Sequence, residues 1–166
     1  YAGEPLARHA AAAARRAFGD RVLTVFGHDV AAVLRSLGSD GGFAIVNDNF
    51  AQGLGSSIAC AARSCREQAD ALVIVLADQP LVTAAHLGEL AETWSGADDR
   101  IVATAFDDTR GPPVLFPRKA FDELAGLTGD RGAHTLFHDS RFDLRSIRFE
   151  PAAVDIDSPA DLDAIS

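Results

Sequence analysis

The sequence predicts an α/β fold in which a parallel, doubly wound sheet is covered by helices on both faces. Short apolar segments alternate along the chain with helical segments, an order typical of parallel sheets. Residues 71–77 form a continuous apolar run with a β-branched centre, which suits a strand buried on both faces. The 166 residues fit one domain with a sizeable core, so we expect a single domain spanning residues 1–166.

The first half of the chain begins with an alanine-rich segment, and alanine is the best helix former. Pro5 suits the first turn of that helix, and Gly19 ends it. The segments expected up to the apolar run are a helix over 5–18, a strand over 21–26, a helix over 29–37, a strand over 43–46 and a helix over 56–69.

The second half contains two helix-start signals. Thr83 is a suitable N-cap for a helix through Trp94, and Ser158 followed by Pro159 starts a last helix. Between them we expect a strand over 100–106, a polar turn over 107–111, an extended run over 113–116, helices over 117–125 and 131–139, and a late strand within 149–156.

Composition narrows the function classes. The net charge is −9, which argues against the clustered basic face that nucleic-acid binding needs. A nucleotide ligand stays compatible, because carboxylates can bind it through Mg²⁺. No apolar run approaches the roughly 20 residues of a membrane helix, and no signal peptide is present, so we expect no membrane partner and a cytoplasmic location. Cys60 and Cys65 are expected to be free thiols.

The apolar run stops at Asp78-Gln79-Pro80, where proline cannot continue a central strand. Ligands of open α/β sheets sit beyond the carboxyl ends of the strands, so Asp78 is placed to hold Mg²⁺. A turn aspartate bonded to nearby backbone explains the same letters.

A second acidic motif is Asp155-Ile156-Asp157. In a strand, Asp155 and Asp157 point to one face, and an acid there could share a metal with Asp78. Alternatively, Asp157 and Ser158 cap the last helix.

A glycine-rich turn, Gly53-Leu54-Gly55-Ser56-Ser57, leads into a helix. Backbone N–H groups at such a helix start can approach a ligand, and the serines can donate to a base or ribose. A flexible loop with a serine cap is the alternative.

Two further segments suit an anionic substrate. At Arg110-Gly111, the glycine permits a ligand to approach the backbone closely and the arginine can contact a phosphate. A hairpin turn is the alternative interpretation of these residues. The loop 128–132, which contains Asp130 and Arg131, suits the rim of a site, or merely connects two helices. His134 and His138 have a zinc-compatible spacing but no glutamate between them and no evident third ligand, so we expect no metal there.

Together these segments resemble the MobA/MocA-like nucleotidyltransferases. The resemblance rests on motifs in the family's order and spacing over essentially the whole chain: Ala77–Val82, Val46-Asn47 with Gly53–Ser57, Arg110–Phe116, Leu127–Ala133 and Val154–Leu162. It implies a Rossmann-like three-layer α/β/α fold with a mostly parallel sheet. It also implies a Mg²⁺-dependent transfer of a nucleotidyl group from CTP or GTP to molybdopterin, with a molybdoenzyme as a further partner.

The resemblance also implies roles for single residues. Asp78 and Asp155 would be catalytic metal ligands, with Asp157 as a second candidate. Gln79 favours the cytidylyltransferase-like branch. The nucleotide-binding residues implied are Asn47, Gly53, Gly55, Ser56, Ser57, Gln79 and Pro80, and the acceptor-binding residues are Arg110, Gly111, Asp130 and Arg131. There are two alternatives. The acceptor could be a sugar phosphate or another small phosphate, or the protein could be a non-catalytic accessory protein that binds nucleotide or pterin.

The chain departs from the family pattern in two places. Family members begin with a central strand and a Gly/Ser-rich loop that cradles the triphosphate, whereas Tyr1–Leu6 matches the segment after that loop. We expect residues of the natural protein to precede Tyr1, and a chain without them to be inactive. Pro112 stands where relatives commonly carry histidine.

Overall fold

The structure is a computed structural model that describes residues 1–129, 132–156 and 158–164. Its helices are α1 (Leu6–Phe18), α2 (Val30–Leu37), α3 (Leu54–Cys65), α4 (Ala84–Trp94), α5 (Phe121–Ala125) and α6 (Pro159–Ala164). Its strands are β1 (Leu23–Phe26), β2 (Phe43–Val46), β3 (Ala71–Ile74), β4 (Arg100–Phe106), β5 (Thr109–Pro117) and β6 (Asp143–Arg148). The predicted α/β class is confirmed.

Two sheets form the centre of the described structure. β1 and β2 pair in parallel, and a four-stranded sheet has the order β3-β5-β4-β6. β4 and β6 are parallel, but β5 runs antiparallel to both β3 and β4, so the larger sheet is mixed. The cause is local: only Asp107 and Asp108 separate β4 from β5, and so short a connection joins only antiparallel strands.

Alternating residues of the larger sheet face two separate apolar clusters. Ile101 and Ala103 of β4 pack with α3 and α5, whereas Val102 packs with α1 and α4. β5 alternates in the same way, with Phe116 on the first face and Leu115 on the second. This period of two follows from strand geometry. The result is three layers, with helices on both faces of the sheet.

β1 and β3 each have an open edge within the described residues. Each pairs with one strand only, and α3 contacts both of them. α1 shares an apolar cluster with each of them, since Ala11 clusters with Phe26 and Val73 packs against the cluster that contains Ala13. The central first strand implied by the resemblance stays a prediction. These two edges carry the backbone hydrogen-bonding groups that could receive it.

Because β3 lies at the edge of its sheet within the described residues, the apolar run is less buried than expected. Leu72 and Ile74 face one cluster while Ala71 and Val73 face the other, as predicted for a strand covered on both faces. The prediction of full burial is wrong, because all four β3 residues are only half-buried. β3 also ends at Ile74, so residues 75–77 lie beyond the paired strand.

The end of the chain differs most from the sequence prediction. The late strand expected within 149–156 is wrong, since Glu150–Ala153 is a 3₁₀ helix and β6 precedes it. Pro151 explains this, because it has no N–H for a sheet ladder and suits the first turn of a helix. Likewise the helix expected over 131–139 is a 3₁₀ helix over Ala133–His138, and the helix expected over 117–125 divides into a 3₁₀ helix (Arg118–Ala120) and α5.

The predicted Thr83 cap of α4 is confirmed, and the last helix begins directly after Ser158 as predicted. The Thr83 hydroxyl accepts a hydrogen bond from the backbone N–H of His86 at 3.2 Å. Before α6, the Asp161 carboxylate accepts hydrogen bonds from the backbone N–H and the hydroxyl of Ser158, each at 2.8 Å. Asp161 lies three residues after Ser158, the spacing of a capping box.

Candidate active site

Asp78 lies where the chain leaves the sheet, four residues after the end of β3. It is half-buried, whereas Gln79 and Pro80 behind it are buried. The predicted position of an acid beyond the carboxyl end of a strand is therefore confirmed, and its role as a metal ligand stays a prediction.

The segment that carries Asp155 runs beside Asp78. The backbone N–H of Ile156 donates to the carbonyl oxygen of Asp78 at 3.0 Å, and Asp155 is exposed next to this contact. The prediction that strand geometry pairs the two acids is nevertheless wrong, because residues 154–156 belong to no strand. Asp157 lies outside the described residues.

These two acids suit a hard divalent cation. Carboxylate oxygens are ligands of Mg²⁺ and Mn²⁺, and Mg²⁺ is commonly held by one or two carboxylates together with substrate phosphates. Within the described ranges, no three His, Cys, Asp or Glu residues are grouped to hold a metal unaided. A metal held by Asp78 and Asp155 would therefore depend on phosphate oxygens or water for its remaining ligands.

The glycine-rich turn is organised by Asn47. Its buried side chain donates from Nδ2 to Ser56 Oγ at 2.8 Å and to Ser57 Oγ at 3.1 Å, while its Oδ1 accepts from the backbone N–H of Asn49 at 3.0 Å. Gly53 follows with a φ of 100°, a conformation open mainly to glycine, and α3 begins at the next residue.

The two serines of this turn differ in their surroundings. Ser56 is buried, and its hydroxyl lies 2.8 Å from the Gly53 carbonyl and 3.0 Å from the Asn49 carbonyl. Ser57 is half-buried, and its hydroxyl is an acceptor for Asn47. Ser56 therefore holds the turn together, whereas Ser57 is better placed to donate to a ligand.

A cavity of about 700 Å³ opens between β5, α3 and the 3₁₀ helix at Ala133–His138. Its floor is apolar and includes Leu54, Ile58 and Phe116, and its rim carries Arg110 and Gly111, two of the predicted acceptor-binding residues. Arg110 is exposed and donates from Nε to Ser146 Oγ at 2.9 Å.

The glycine-rich turn and the rim loop meet beside this cavity. The backbone N–H of Gly55 donates to the Gly129 carbonyl at 2.9 Å, and Gly132 lines the cavity. Asp130 and Arg131 lie outside the described residues. His134 and His138, for which the sequence offered no role, both line the rim.

A buried polar group that the sequence did not reveal lies behind the cavity wall. His86 is 2 % exposed, stacks on Phe149 with ring centroids 4.2 Å apart, and contacts Thr104 Oγ1 through Nε2 at 2.8 Å. Thr104 gives its only hydroxyl hydrogen to the Pro113 carbonyl at 2.6 Å, so the His86 Nε2 must be the donor. Burial lowers the pKa of His86, and the nearby Glu89 opposes this more weakly.

The three-layer fold, with an acid beyond a strand end and a glycine-rich helix start, is that of a Rossmann-like α/β protein. The chain belongs to the MobA-like NTP transferase domain family, whose sequence profile matches residues 1–145. Among the curated relatives, the purine catabolism protein PucB of Bacillus subtilis (strain 168) is 29% identical over 118 residues. The match covers 69% of this chain and 56% of PucB.

A second curated relative, the bifunctional protein GlmU of Trichlorobacter lovleyi, is 32% identical over 108 residues, which are 64% of this chain and 24% of GlmU. The chain thus spans little more than half of one curated relative and about a quarter of the other.

Solved structures confirm the fold. Rv0371c of Mycobacterium tuberculosis H37Rv, crystallised with manganese, is 27% identical with a TM-score of 0.80, covering 96% of this chain and 85% of that one. A nucleotidyl transferase of Methanothermobacter thermautotroptrophicus, 20% identical, has a TM-score of 0.81 and covers 98% and 79% of the two chains. At that identity the likeness shows the fold alone.

In the described part of the protein, no helix is both long and apolar enough to cross a membrane. Cys60 and Cys65 are free cysteines, as predicted.

Proposed function

We propose that this protein is a divalent-metal-dependent nucleotidyltransferase that transfers CMP from CTP, or GMP from GTP, to molybdopterin with release of pyrophosphate. The observation that carries the proposal is the hydrogen bond from Ile156 to the Asp78 carbonyl, because it brings two acidic segments to one strand end. Family membership supports nucleotidyl transfer, and the structural likeness to molybdopterin-guanine dinucleotide biosynthesis protein A of Archaeoglobus fulgidus, with a TM-score of 0.57, agrees with the fold this requires.

In the proposed reaction, a phosphate oxygen of the acceptor forms a bond to the α-phosphorus of the nucleotide. The bond from that phosphorus to the bridging oxygen breaks, and pyrophosphate leaves with the electron pair. A divalent cation bound by Asp78 and Asp155 would neutralise charge on the phosphates. The protein's own part is to hold the two reactants in line, which is the main requirement of phosphoryl-type transfer.

The proposed nucleotide site is formed by the turn around Asn47 and the start of α3. Backbone N–H groups at a helix start attract anions, and the Ser57 hydroxyl can donate to the base or ribose. Pro80, which is buried two residues after Asp78, is proposed as part of the same site. We propose from Gln79 that the protein belongs to the cytidylyltransferase-like branch. The side chain of Gln79 is nevertheless buried, with 1 % of it exposed.

The cavity of about 700 Å³ is the proposed acceptor site. Its volume lies within the range of small-molecule pockets, and its apolar floor suits the face of a flat heterocycle such as a pterin. Arg110 and Gly111 on the rim are placed to meet a phosphate, with Asp130 and Arg131 proposed for the same rim. Leu76, two residues before Asp78, lines this cavity and connects it to the proposed metal site.

The test is pyrophosphate release by the full-length protein from CTP and from GTP, each with Mg²⁺ or Mn²⁺ and with molybdopterin. We expect release only when molybdopterin is present. If pyrophosphate is released with a sugar phosphate and not with molybdopterin, the proposed reaction stands but its acceptor is a sugar phosphate. Binding of nucleotide or pterin without any release would favour the accessory-protein alternative and contradict the proposal.

A further inference from the structure

We propose that Gln79 is a positioning residue that keeps the Asp155 segment and the Pro112 wall of the cavity in register with Asp78. The inference rests on the proposed function, because it concerns the arrangement of the same site. It assigns to the Gln79 side chain a part distinct from nucleotide contact.

The Gln79 carboxamide bridges two segments that are far apart in sequence. Its Nε2 donates to the Ala152 carbonyl at 2.8 Å and to the Pro112 carbonyl at 3.3 Å. Ala152 is completely buried and stands three residues before Asp155. Next to Gln79 on the chain, the Asp78 carbonyl accepts from Ile156. The Asp155 segment is therefore held on both sides of Asp155 by the dipeptide Asp78-Gln79.

The Pro112 side of this bridge is a break in the sheet. In the β4–β5 ladder Ala103 pairs with Val114 and Thr104 pairs with Gly111, so Pro112 and Pro113 have no partners in the register. Prolines have no N–H to donate, and such a bulge leaves carbonyl groups without ladder bonds. Gln79 donates to the first of these carbonyls and Thr104 to the second.

The chemistry of the amide supports a positioning role over simple packing. Gln79 is 1 % exposed, and within the described residues its Oε1 is buried without a hydrogen-bond partner. An apolar side chain of similar size would avoid the cost of burying that oxygen. The amide supplies two N–H groups directed at two carbonyls, which methionine of similar length does not have.

The first test needs no activity. Hydrogen exchange of the Ile156 amide is compared between wild type and Q79M, relative to the amides of β4. Losing the bridge should raise the relative exchange of Ile156 about tenfold, the size expected for a neutral hydrogen bond. The matched control is T104V, which removes the neighbouring bond to Pro113 but leaves Gln79 in place. It should lower the melting temperature without this selective change. Q79N, which keeps the amide but is one methylene shorter, should behave like Q79M.

The second test measures Mn²⁺ binding in the presence of CTP by calorimetry. Q79M and Q79N should weaken Mn²⁺ binding about tenfold, while T104V should not. Unchanged relative exchange at Ile156 in both Gln79 variants would overturn the inference and leave the proposed function standing. Weaker CTP binding without metal, together with unchanged exchange, would make Gln79 a nucleotide contact and overturn it too. A wild type that binds neither Mn²⁺ nor nucleotide, with the exchange effect present, would instead overturn the proposed function.

Discussion

The backbone N–H of Ile156 donates a hydrogen bond of 3.0 Å to the carbonyl oxygen of Asp78. This bond joins two residues that are 78 positions apart in the sequence. It brings Asp155 to the strand end where Asp78 stands, although no strand pairing extends to residue 155. The proposed metal site therefore depends on this loop contact and on the Gln79 bridge beside it.

The Asp155 carboxylate can be tested as a metal ligand. D155N keeps the size of the side chain but removes its charge, so we expect the Mn²⁺ concentration needed for half-maximal activity to rise at least about tenfold. The matched control is D163N, which removes a charge from an exposed position of α6. Equal metal requirements in D155N and wild type would contradict the assignment.

The two serines of the glycine-rich turn should separate stability from binding. S56A removes a buried hydroxyl bonded within the turn, and we expect it to lower the free energy of unfolding by about 1–2 kcal/mol. S57A should leave stability nearly unchanged and weaken nucleotide binding about tenfold. Urea unfolding and calorimetry with CTP measure the two effects. The reverse pattern would show that Ser57 does not contact the nucleotide.

Gly42 should be irreplaceable before β2. Its φ is +59°, and a Cβ there would lie 2.2 Å from the Val22 carbonyl oxygen, which accepts the first hydrogen bond from Phe43. We expect G42A to lower the free energy of unfolding by about 2 kcal/mol or more. G88A, where a Cβ meets nothing within 4 Å in α4, should instead stabilise by about 0.5–1 kcal/mol. Denaturant titration of both variants checks the contrast.

His86 should make stability depend on pH. Burial lowers its pKa in the folded protein, so the unfolded chain binds a proton more readily. Its contribution is then fully present above the unfolded value of about 6.5 and is lost as pH falls below it toward the folded pKa. Unfolding curves of wild type and H86Q between about pH 8 and 5, the range in which histidine titrates, measure this. If stability falls with pH as much in H86Q as in wild type, the assignment of this pH dependence to His86 is contradicted.

Much of the fold could be predicted because local signals agreed with the packing. The alanine-rich segment became α1, Thr83 capped α4, and the apolar run became a strand covered by helices on both faces. The strand β6 could not be predicted, since its sequence Asp-Leu-Arg-Ser-Ile-Arg is half charged. It is a strand because it pairs with β4, a long-range contact that local composition does not encode.

The residues of the candidate site could be predicted from the sequence, but the contacts between them could not. Asp78 could be predicted from an apolar run that stops at an acid, and Asn47 from the resemblance. The buried contacts of Gln79 and the His86–Thr104 pair join segments far apart in sequence. A motif with fixed residue spacing therefore cannot predict them. Strand geometry predicts that the segments of Asp155 and Asp78 meet, whereas in the structure a loop brings these two segments together.

The most direct test of the account is nucleotidyl transfer by the full-length protein with Asp78 replaced by Asn. Pyrophosphate release from CTP or GTP is measured with molybdopterin over a range of Mn²⁺ and Mg²⁺ concentrations, and circular dichroism checks that the variant is folded. The account predicts metal-dependent release by wild type and a loss of at least about a hundredfold in folded D78N, the size expected when charge stabilisation of the transition state is removed. Wild-type turnover retained by D78N would contradict it.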